Sequence, residues 1–498
     1  MIRAFSKSSP GSSLSAWDVT ALVVAALPAA AIYLMLAART YGIGFPLDDS
    51  WIHQSFARTL ALEGEWALRP GMTASGSTAP LWSVLLAIGY ALGLAPFGWS
   101  YVLGAAALVG IASLAEWFVR RQVQSYRPRL PWIGLFIVFE WHLLWAALSG
   151  METGLHALIL TTTLVLLTTG SDRYTLMGLL TGLSVWVRPD GVTLAGPVLL
   201  TLALTGGTAS QRLRAAAKYC SAVIVLVALY VGFNLSLGGT PLPSTFYAKQ
   251  AEYQVWQSMP LAAKLGQMAV QLFAGPGIVV VPGFALAAWQ AARRRHWPTL
   301  CAVAWTIGYF ALYIVRLPPY QHGRYLMPAM PTFQLLGLVG LVTFVRGARA
   351  GWQRLAGIAW TGSLVMLWLV FIGFGARSYA NDVALIETEM VRTAVWAATH
   401  LPPGALVAAH DIGALGYFDS HEVVDLAGLV SPEVIPFLRD EPELRAHLDR
   451  TGTDYLIAFP SLYPELTAGL DMVFTSGSQL SGSMGHDNLT IYRWPTAK

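Results

Sequence analysis

Charged residues are scarce in this chain. Asp, Glu, Lys and Arg make up 12% of its 498 residues, whereas they make up roughly a quarter of an average soluble protein. Hydrophobic residues make up 55%, and uncharged runs of about 20 residues, long enough to cross a bilayer, recur along the sequence. These runs lack period-two alternation, so their backbone groups must be satisfied within helices. The composition therefore predicts a polytopic α-helical membrane protein.

Cysteine is almost as scarce. Cys220 and Cys301 both lie in apolar runs, a pattern that indicates neither a structural disulfide nor a metal site. The net charge of +4 comes without a basic face interleaved with aromatic residues, which argues against nucleic acid as a partner. The apolar run at 19–38 is longer than a signal-peptide core and predicts an uncleaved signal anchor.

The apolar runs predict about eleven membrane-spanning helices. They lie at 19–38, 100–119, 131–148, 153–169, 174–187, 191–205, 219–237, 265–291, 298–315, 325–345 and 355–376. The segment 80–94 is apolar but short, and Gly89 and Gly93 interrupt it. We expect it to lie in the membrane interface, within a first outer loop that spans 39–99 and carries interfacial helices.

The distribution of basic residues orients the helices. With segment 80–94 not crossing, one side receives most Lys and Arg of the membrane part, including Arg3 and Lys7, as the positive-inside rule requires of cytoplasmic loops. We therefore predict a multi-pass protein of the plasma membrane with a cytoplasmic N-terminus and a transmembrane part at 1–379. An odd number of spans places the remainder, 380–498, on the extracytoplasmic side.

The C-terminal part, 380–498, has the pattern of a small α/β domain. We predict a helix at 383–400, followed by strands at 405–409, 422–425, 454–459, 471–475 and 488–493. This part has an excess of acidic residues, which argues against phosphate binding by the domain itself. His410 and Asp411 follow the first strand and precede Gly413, a position that we interpret as a strand-end turn.

The first outer loop contains an acidic pair, Asp48 and Asp49, at the start of an amphipathic segment that also carries His53 and Arg58. We expect Asp49 to cap this helix, which would leave Asp48 free to act. Adjacent carboxylates at a membrane surface provide a general base or bind a cation. The alternative is a capped interfacial helix with solvated acids.

Two further outer turns carry ionisable residues. Glu152 follows a tight turn at 149–151, where a carboxylate also suits the N-terminus of an ordinary helix. Arg188 and Asp190 lie between two short apolar segments, so we expect them in a recess below the membrane surface, where ionisable groups are functional candidates. The alternative is an Arg–Asp pair that stabilises a Pro-Gly turn.

The later outer loops supply cations. Lys249 ends a hydroxyl-rich, aromatic stretch, and His322 and Arg324 follow a Pro-Pro pair. These groups suit the phosphate of a membrane-borne substrate, although each is individually typical of an interfacial snorkelling residue. Within the bilayer, Glu116 lies four residues before Arg120, and this spacing predicts an ion pair on one helix face.

Taken in order, six short stretches resemble the GT-C superfamily of polyprenyl-phosphate-sugar glycosyltransferases, and within it the bacterial branch that includes terminal arabinofuranosyltransferases. They are DDSWIH at 48–53, GSTAPLW at 76–82, GMET at 150–153, RPDG at 188–191, PLPSTFYAK at 241–249 and HGRY at 322–325. The resemblance covers most of the membrane part. It departs after Arg58, where relatives often have Asn and this chain has Thr59, which leaves the neighbouring contacts open.

The resemblance implies an inverting transfer of a sugar from a polyprenyl-phosphate donor to an extracytoplasmic glycan, lipid or protein, in contact with membrane lipid. The base would be Asp48, with Asp49 second. The substrate-binding residues would be His53, Arg58, Glu152, Arg188, Asp190, Tyr247, Lys249, His322, Arg324 and Tyr325. Some members need a divalent cation, Mg²⁺ or Mn²⁺, and others do not; if one is used here, Asp48, Asp49 and Glu152 would hold it.

Two other functions fit parts of the pattern. A transporter or flippase of a lipid-linked sugar would also need a lipid path with cationic phosphate contacts, although transporters place ionisable groups near the midplane. A membrane scaffold or sensor that presents the acidic outer domain would leave the recessed Arg188 and Asp190 without a role. We therefore favour the enzyme.

Overall fold

The computed structural model describes residues 13–483, 485 and 487–495; Arg3 and Lys7, used above to orient the chain, lie outside the described residues. The first half of the membrane part consists of the helices α1 (Ala16–Thr40), α2 (Asp49–Glu63), α3 (Pro80–Ala91), α4 (Pro96–Gln122), α5 (Trp132–Val138), α6 (Trp141–Ala147), α7 (Thr153–Thr168), α8 (Tyr174–Val187) and α9 (Ala195–Leu204). A 3₁₀ helix, Pro189–Leu194, joins α8 to α9.

The second half continues with α10 (Ala209–Gly238), α11 (Ser244–Glu252), α12 (Gln254–Ser258), α13 (Leu261–Phe273), α14 (Gly277–Arg293), α15 (Trp297–Arg316), α16 (Tyr320–Gly323), α17 (Met330–Gly347) and α18 (Gly351–Ile386). Among the described residues, six helices are long and apolar enough to cross a membrane, and a bent pair adds a seventh. The chain is thus a polytopic helical protein, while the count of about eleven spans stays a prediction.

Two predicted spans are broken. The run at 265–291 is not one helix, because α13 and α14 meet at an angle of 98°. The break contains Gly275, whose φ is 83°, and Pro276, which lacks the N–H that a continuing helix needs. The run at 131–148 is divided into α5 and α6, where the Glu140 side chain accepts a hydrogen bond from the N–H of Leu143 and starts a new helix.

Segment 80–94 forms the short helix α3. Its twelve residues extend for roughly 18 Å at 1.5 Å per residue, too little to cross a hydrocarbon core of about 30 Å. Trp82 and Leu86 are buried in an apolar cluster that also contains Ala57 of α2. The first outer loop therefore has the two packed helices, α2 and α3, that its sequence pattern predicts.

The C-terminal domain is a five-stranded sheet with helices. Its strands are β1 (Leu406–Ala409), β2 (Glu422–Asp425), β3 (Tyr455–Ala458), β4 (Asp471–Thr475) and β5 (Thr490–Arg493), in the order β2-β1-β3-β5-β4. β1 pairs in parallel with β2 and β3, and β5 runs antiparallel to β3 and β4. The helices are α19 (Arg392–His400), α20 (Gly413–Phe418), α21 (Glu441–Thr451), α22 (Pro464–Thr467) and α23 (Gln479–Ser483).

The domain is attached to the membrane part in two ways. The predicted helix at 383–400 is not separate, because α18 continues through a π-helical turn at Glu387–Val391 into α19. The first outer loop and the domain also share one apolar cluster, in which Trp51 and Phe56 pack with Leu415 and Val407. α20 thereby comes to lie against the N-terminal end of α2, where the acidic pair is.

Candidate functional site

Two cavities meet where the first outer loop, α11 and the C-terminal domain converge. The deep cavity, of about 30 Å³, is lined by Asp49, Ile52, His53, Gly76, Thr78, Met151, Glu152, Arg188, Thr245, Lys249, Arg324, Tyr325 and Leu429. The domain cavity, of about 140 Å³, is lined by Asp48, Asp49, Ile52, Ala248, Lys249, Glu252, Tyr253, Tyr320, Gln321, Arg324, His410, Asp411, Ile412, Ala427 and Leu429. The charged residues common to both linings are Asp49, Lys249 and Arg324, which therefore stand at the junction.

Asp49 is held at this junction by cations. Its Oδ2 lies 2.6 Å from Nη2 of Arg324 and 4.0 Å from Nζ of Lys249. Burial alone would raise the pKa of Asp49, but the charges of Arg324 and Lys249 outweigh it and hold the pKa well below the usual range. The carboxylate keeps 33% exposure, against 9% for the Arg324 side chain. Asp49 is thus ionised and accessible from the cavities.

Asp48 has a different environment from its neighbour. Its Oδ2 and Oδ1 accept hydrogen bonds of 2.7 and 2.8 Å from the backbone N–H groups of Gly413 and Ala414, at the N-terminus of α20. Burial, followed by the charge of Asp411, raises the pKa of Asp48 to about 7. The expected cap by Asp49 was wrong, since α2 begins at Asp49 and no side chain caps it. Asp48 instead connects the first loop to the domain.

A hydrogen-bonded network forms the wall of the deep cavity. Arg188 donates to Glu152 at 3.0 Å, to Asp190 at 3.2 Å and to the hydroxyl of Tyr313 at 3.2 Å. Asp190 accepts further hydrogen bonds from the hydroxyls of Tyr309 and, at 2.6 Å, Tyr313. This network fixes the guanidinium of Arg188 in one orientation.

His53 extends the network into the first loop. Its Nε2 lies 3.4 Å from Oε2 of Glu152, and its Nδ1 is within hydrogen-bond distance of the Ser83 hydroxyl, at 3.2 Å, and the Ser77 hydroxyl, at 3.3 Å. Four of the stretches that carried the family resemblance, those around His53, Ser77, Glu152 and Arg188, are therefore in direct contact.

Arg324 retains unused hydrogen-bond donors. The residue is 7% exposed, and within the described part of the chain its Nε and Nη1 have no hydrogen-bond partner. Unpaired donors in a buried guanidinium are costly and call for an explanation. Arg324, Arg188 and Lys249 also surround the ring of Tyr325, at 4.9, 5.4 and 5.5 Å from its centre. The junction is therefore suited to a bound anion.

Four of the predicted site residues line neither cavity. Asp190 accepts a hydrogen bond from Arg188, which does line the deep cavity. Arg58 donates to the carbonyl of Tyr417 at 2.9 Å and lies over its ring, so it connects α2 to the domain. Tyr247 packs edge-on against Phe246. His322 lies 2.7 Å from Asp382.

Sequence reasoning missed several residues at the site. Tyr309 and Tyr313 were not singled out, although their i, i+4 spacing on an apolar helix places both hydroxyls on one face. Glu252 was not singled out either, and His410 and Asp411 were interpreted only as a turn. Those three line the domain cavity because α20 docks on α2, a tertiary contact that no local pattern predicts.

The three carboxylates proposed for a divalent cation do not fit one. Asp49 pairs with Arg324, Glu152 pairs with Arg188, and both oxygens of Asp48 accept backbone hydrogen bonds. Within residues 13–483, 485 and 487–495, no group of three or more His, Cys, Asp or Glu has the arrangement of a metal site. These residues form cation-paired carboxylates, not a set of oxygen ligands that converge on a metal.

Comparisons with known proteins address the fold. A family model described as a domain of unknown function (DUF8728) matches residues 380–492. No curated protein matches the chain by sequence.

Among solved structures, ArnT from Cupriavidus metallidurans in the apo state aligns with a TM-score of 0.59 at 14% identity, over 94% of this chain and 97% of that one. The same protein bound to undecaprenyl phosphate aligns at 0.58 and 15%, over 96% and 98%. An Archaeoglobus fulgidus oligosaccharyltransferase tethered to an acceptor peptide aligns at 0.52 and 11%, over 90% and 69%. These likenesses establish the GT-C fold that the six stretches predicted; the narrower branch stays a prediction.

Proposed function

We propose that this protein is a membrane glycosyltransferase that moves a sugar from a polyprenyl-phosphate donor to an acceptor hydroxyl on the extracytoplasmic side, with Asp49 as the general base. One observation carries the proposal: Asp49, Arg324 and Lys249 stand where the two cavities meet. A base at this junction touches one substrate on each side. The likeness to ArnT bound to undecaprenyl phosphate supports a lipid-phosphate donor.

The donor phosphate binds at Arg324 and Lys249. Nε and Nη1 of Arg324 are unpaired, so each can donate a charge-assisted hydrogen bond to a phosphate oxygen. The deep cavity of about 30 Å³ has room for waters only, so a sugar phosphate enters only if the wall moves. The contact between Asp49 and Arg324 is the part of that wall that a phosphate replaces.

This exchange activates the base. While Arg324 pairs with Asp49, it holds the pKa of Asp49 low, and a carboxylate with a low pKa is a weak base. A donor phosphate on Arg324 neutralises that cation and raises the basicity of Asp49. The base therefore becomes effective when the donor is present, which limits reaction in its absence.

The transfer step then follows from the positions of the groups. Asp49 takes the proton of the acceptor hydroxyl while that oxygen forms a bond to the anomeric carbon. The bond from the anomeric carbon to the phosphate oxygen breaks, its electron pair stays on the phosphate, and the configuration inverts. Arg324 and Lys249 stabilise the charge that develops on the leaving phosphate, and Arg188, held by Glu152 and Asp190, positions the sugar or its phosphate in the deep cavity.

We assign the base to Asp49 in preference to Asp48, the first choice from sequence. Asp48 is 9% exposed, and both its oxygens are held by the backbone N–H groups of Gly413 and Ala414, whereas the carboxylate of Asp49 is 33% exposed where the two cavities meet. Its role is to fix the first loop against the domain.

The test is sugar transfer by the purified full-length protein in detergent with a panel of polyprenyl-phosphate sugars. We expect Asp49→Asn to lower kcat by about 10³-fold, within the range for loss of a general base, and Asp48→Asn to reduce activity far less. Asp172→Asn, at an exposed acid in the loop before α8, is the matched control. Collapse in Asp48→Asn alone would move the base back to Asp48.

The same assay separates the enzyme from a transporter of lipid-linked sugars. Both retain the donor, since both need the cationic phosphate contacts. Donor binding by wild type without transfer to any acceptor, unchanged by Asp49→Asn, would contradict the glycosyltransferase.

A further inference from the structure

The carboxyl ends of two parallel strands open into the domain cavity. His410, Asp411 and Ile412 follow β1, and Ala427 and Leu429 follow β2; all five line the cavity. β1 and β2 are parallel neighbours, so these two strand ends lie side by side and face the cavity together. The domain therefore contributes two adjacent loops to one wall of the cavity.

Contacts between α11 and the C-terminal domain hold one wall of the cavity in place. Nε2 of His410 lies 3.5 Å from Oε1 of Glu252 in α11, and Arg439 donates to the same oxygen at 2.9 Å. Nδ1 of His410 is 2.8 Å from the hydroxyl of Tyr463. Burial would raise the pKa of Glu252, but His410 and Arg439 outweigh it and lower the pKa. This wall is therefore preorganised by contacts between the two parts.

Asp411 differs from these neighbours because its carboxylate is unused. No described residue donates a hydrogen bond to it, although it lies on the lining of the cavity. An ionised carboxylate can only accept hydrogen bonds, so its complement is a group with an O–H or N–H. Burial raises the pKa of Asp411. The charge of His410 opposes this shift, and the charge of Asp49 adds to it.

Arg324 supplies the second observation. It is buried, lines the same cavity, and has unpaired nitrogens. Its donors lie beside Asp49 at the junction, whereas the unused acceptor, Asp411, belongs to the domain. A molecule in the domain cavity therefore meets a donor-phosphate site at one end and a hydrogen-bond acceptor at the other.

We propose that the domain cavity is the acceptor site and that Asp411 selects an uncharged, polyhydroxylated acceptor by accepting a hydrogen bond from a hydroxyl next to the one that Asp49 deprotonates. The assignment rests on the glycosyltransferase function proposed above and deepens it. Glu252 is already paired with His410 and Arg439, but Asp49 and Asp411 line the cavity without a cation once the donor phosphate occupies Arg324 and Lys249. An acceptor with a carboxylate or phosphate is therefore repelled.

The test compares wild type with Asp411→Asn in the full-length protein, with saturating donor and two acceptors, a neutral octyl glycoside and the corresponding uronic acid glycoside. We expect the KM for the neutral acceptor to rise about 10-fold, as for loss of a hydrogen bond to a charged group, while the KM for the donor does not change. We also expect the preference for the neutral over the anionic acceptor to fall by about 10-fold, because one repelling charge is removed. Asp471→Asn, at an exposed acid of β4, is the control and should behave as wild type.

Each alternative outcome decides a different claim. Transfer by wild type with an unchanged acceptor preference in Asp411→Asn would overturn the acceptor site and leave the glycosyltransferase standing. A rise in both KM values together would assign Asp411 a structural role. Absence of transfer by wild type with every donor would overturn both proposals. If Asp411→Asn does not fold, Asp411→Ser gives the same comparison, since it also removes the charge.

Discussion

Two ionic clusters lie at opposite ends of α1, and they differ in how completely they are paired. At the start of α1, Arg120 donates to both oxygens of Asp18 and, at 2.6 Å, to Glu116. The other oxygen of Glu116 accepts from the N–H groups of Ile133 and Gly134. Every charged atom in this cluster has a partner within the protein.

After the end of α1, the cluster around Asp49 is incomplete. Arg324 uses Nη2 toward Asp49 and leaves Nε and Nη1 unpaired, and the carboxylate of Asp411 is also unused. A cluster that satisfies itself stabilises the fold, whereas a buried cluster with unused donors and acceptors is complete only with a ligand. The same kinds of residue thus have a structural role at one end of the bundle and a binding role at the other.

Removing the charge of each arginine in turn gives the largest expected effect. Arg324→Gln should lower sugar transfer by about 10²- to 10³-fold, the range for loss of one group that stabilises developing charge, with little change in thermal stability. Arg120→Gln should do the reverse. It leaves Asp18 and Glu116 buried without their cation, at a cost of about 3–5 kcal/mol, while the protein that folds keeps its specific activity. Transfer assays and thermal unfolding in detergent measure both.

The two outcomes are informative only together. If Arg324→Gln loses stability as much as Arg120→Gln, its unpaired nitrogens are a feature of the fold and not of a site. If Arg120→Gln loses activity at normal stability, the cluster of Arg120, Asp18 and Glu116 has a role in the reaction.

In each cluster, the sequence predicted the residues that lie on one element but not their partners from distant segments. The pair Glu116–Arg120 follows from i, i+4 spacing on one helix, and the structure has it; Asp18, about a hundred residues earlier, joins by tertiary packing and was not predicted. Similarly, the acidic pair at 48–49 stands out in the sequence, but the N–H groups of Gly413 and Ala414 decide which acid remains free. Local spacing finds residues on one element, and partners from distant segments need the fold.

The secondary structure shows the same limit. The strands of the C-terminal domain were predicted close to where they lie, because short apolar runs between turns mark them. The break between α13 and α14 was predicted as one span although Gly275 and Pro276 lie in it, because hydropathy dominated over turn chemistry. The continuous helix from α18 into α19 was divided in two, since its composition changes from apolar to amphipathic where the chain leaves the membrane part.

The docking of α20 beside the cluster around Asp49 can be disturbed at Gly413. A Cβ at this position would come within 2.0 Å of the backbone oxygen of Asp48, so Gly413→Ala must push α20 away from α2. We expect activity to fall about 10-fold and stability by about 1–3 kcal/mol, the usual cost of overpacking. Gly482→Ala, where a Cβ meets nothing within 4 Å, should change neither. Full activity in Gly413→Ala would show that transfer does not depend on how the domain docks.

The smallest expected effect concerns the ionisation of Asp48. Its folded pKa of about 7 exceeds the ordinary value of 3.8, so the folded protein binds an extra proton between these values. The stabilisation from Asp48 is therefore complete below about pH 4 and lost as the pH rises through 7. Asp48→Asn should flatten the decline of the unfolding temperature over this range, and Asp411, whose pKa is also raised, should leave a residual slope of the same sign. An unchanged decline in Asp48→Asn would mean that Asp48 stays ionised in the folded protein, as its two N–H donors alone would favour. The stability of the contact between α2 and α20 would then not depend on a proton at Asp48.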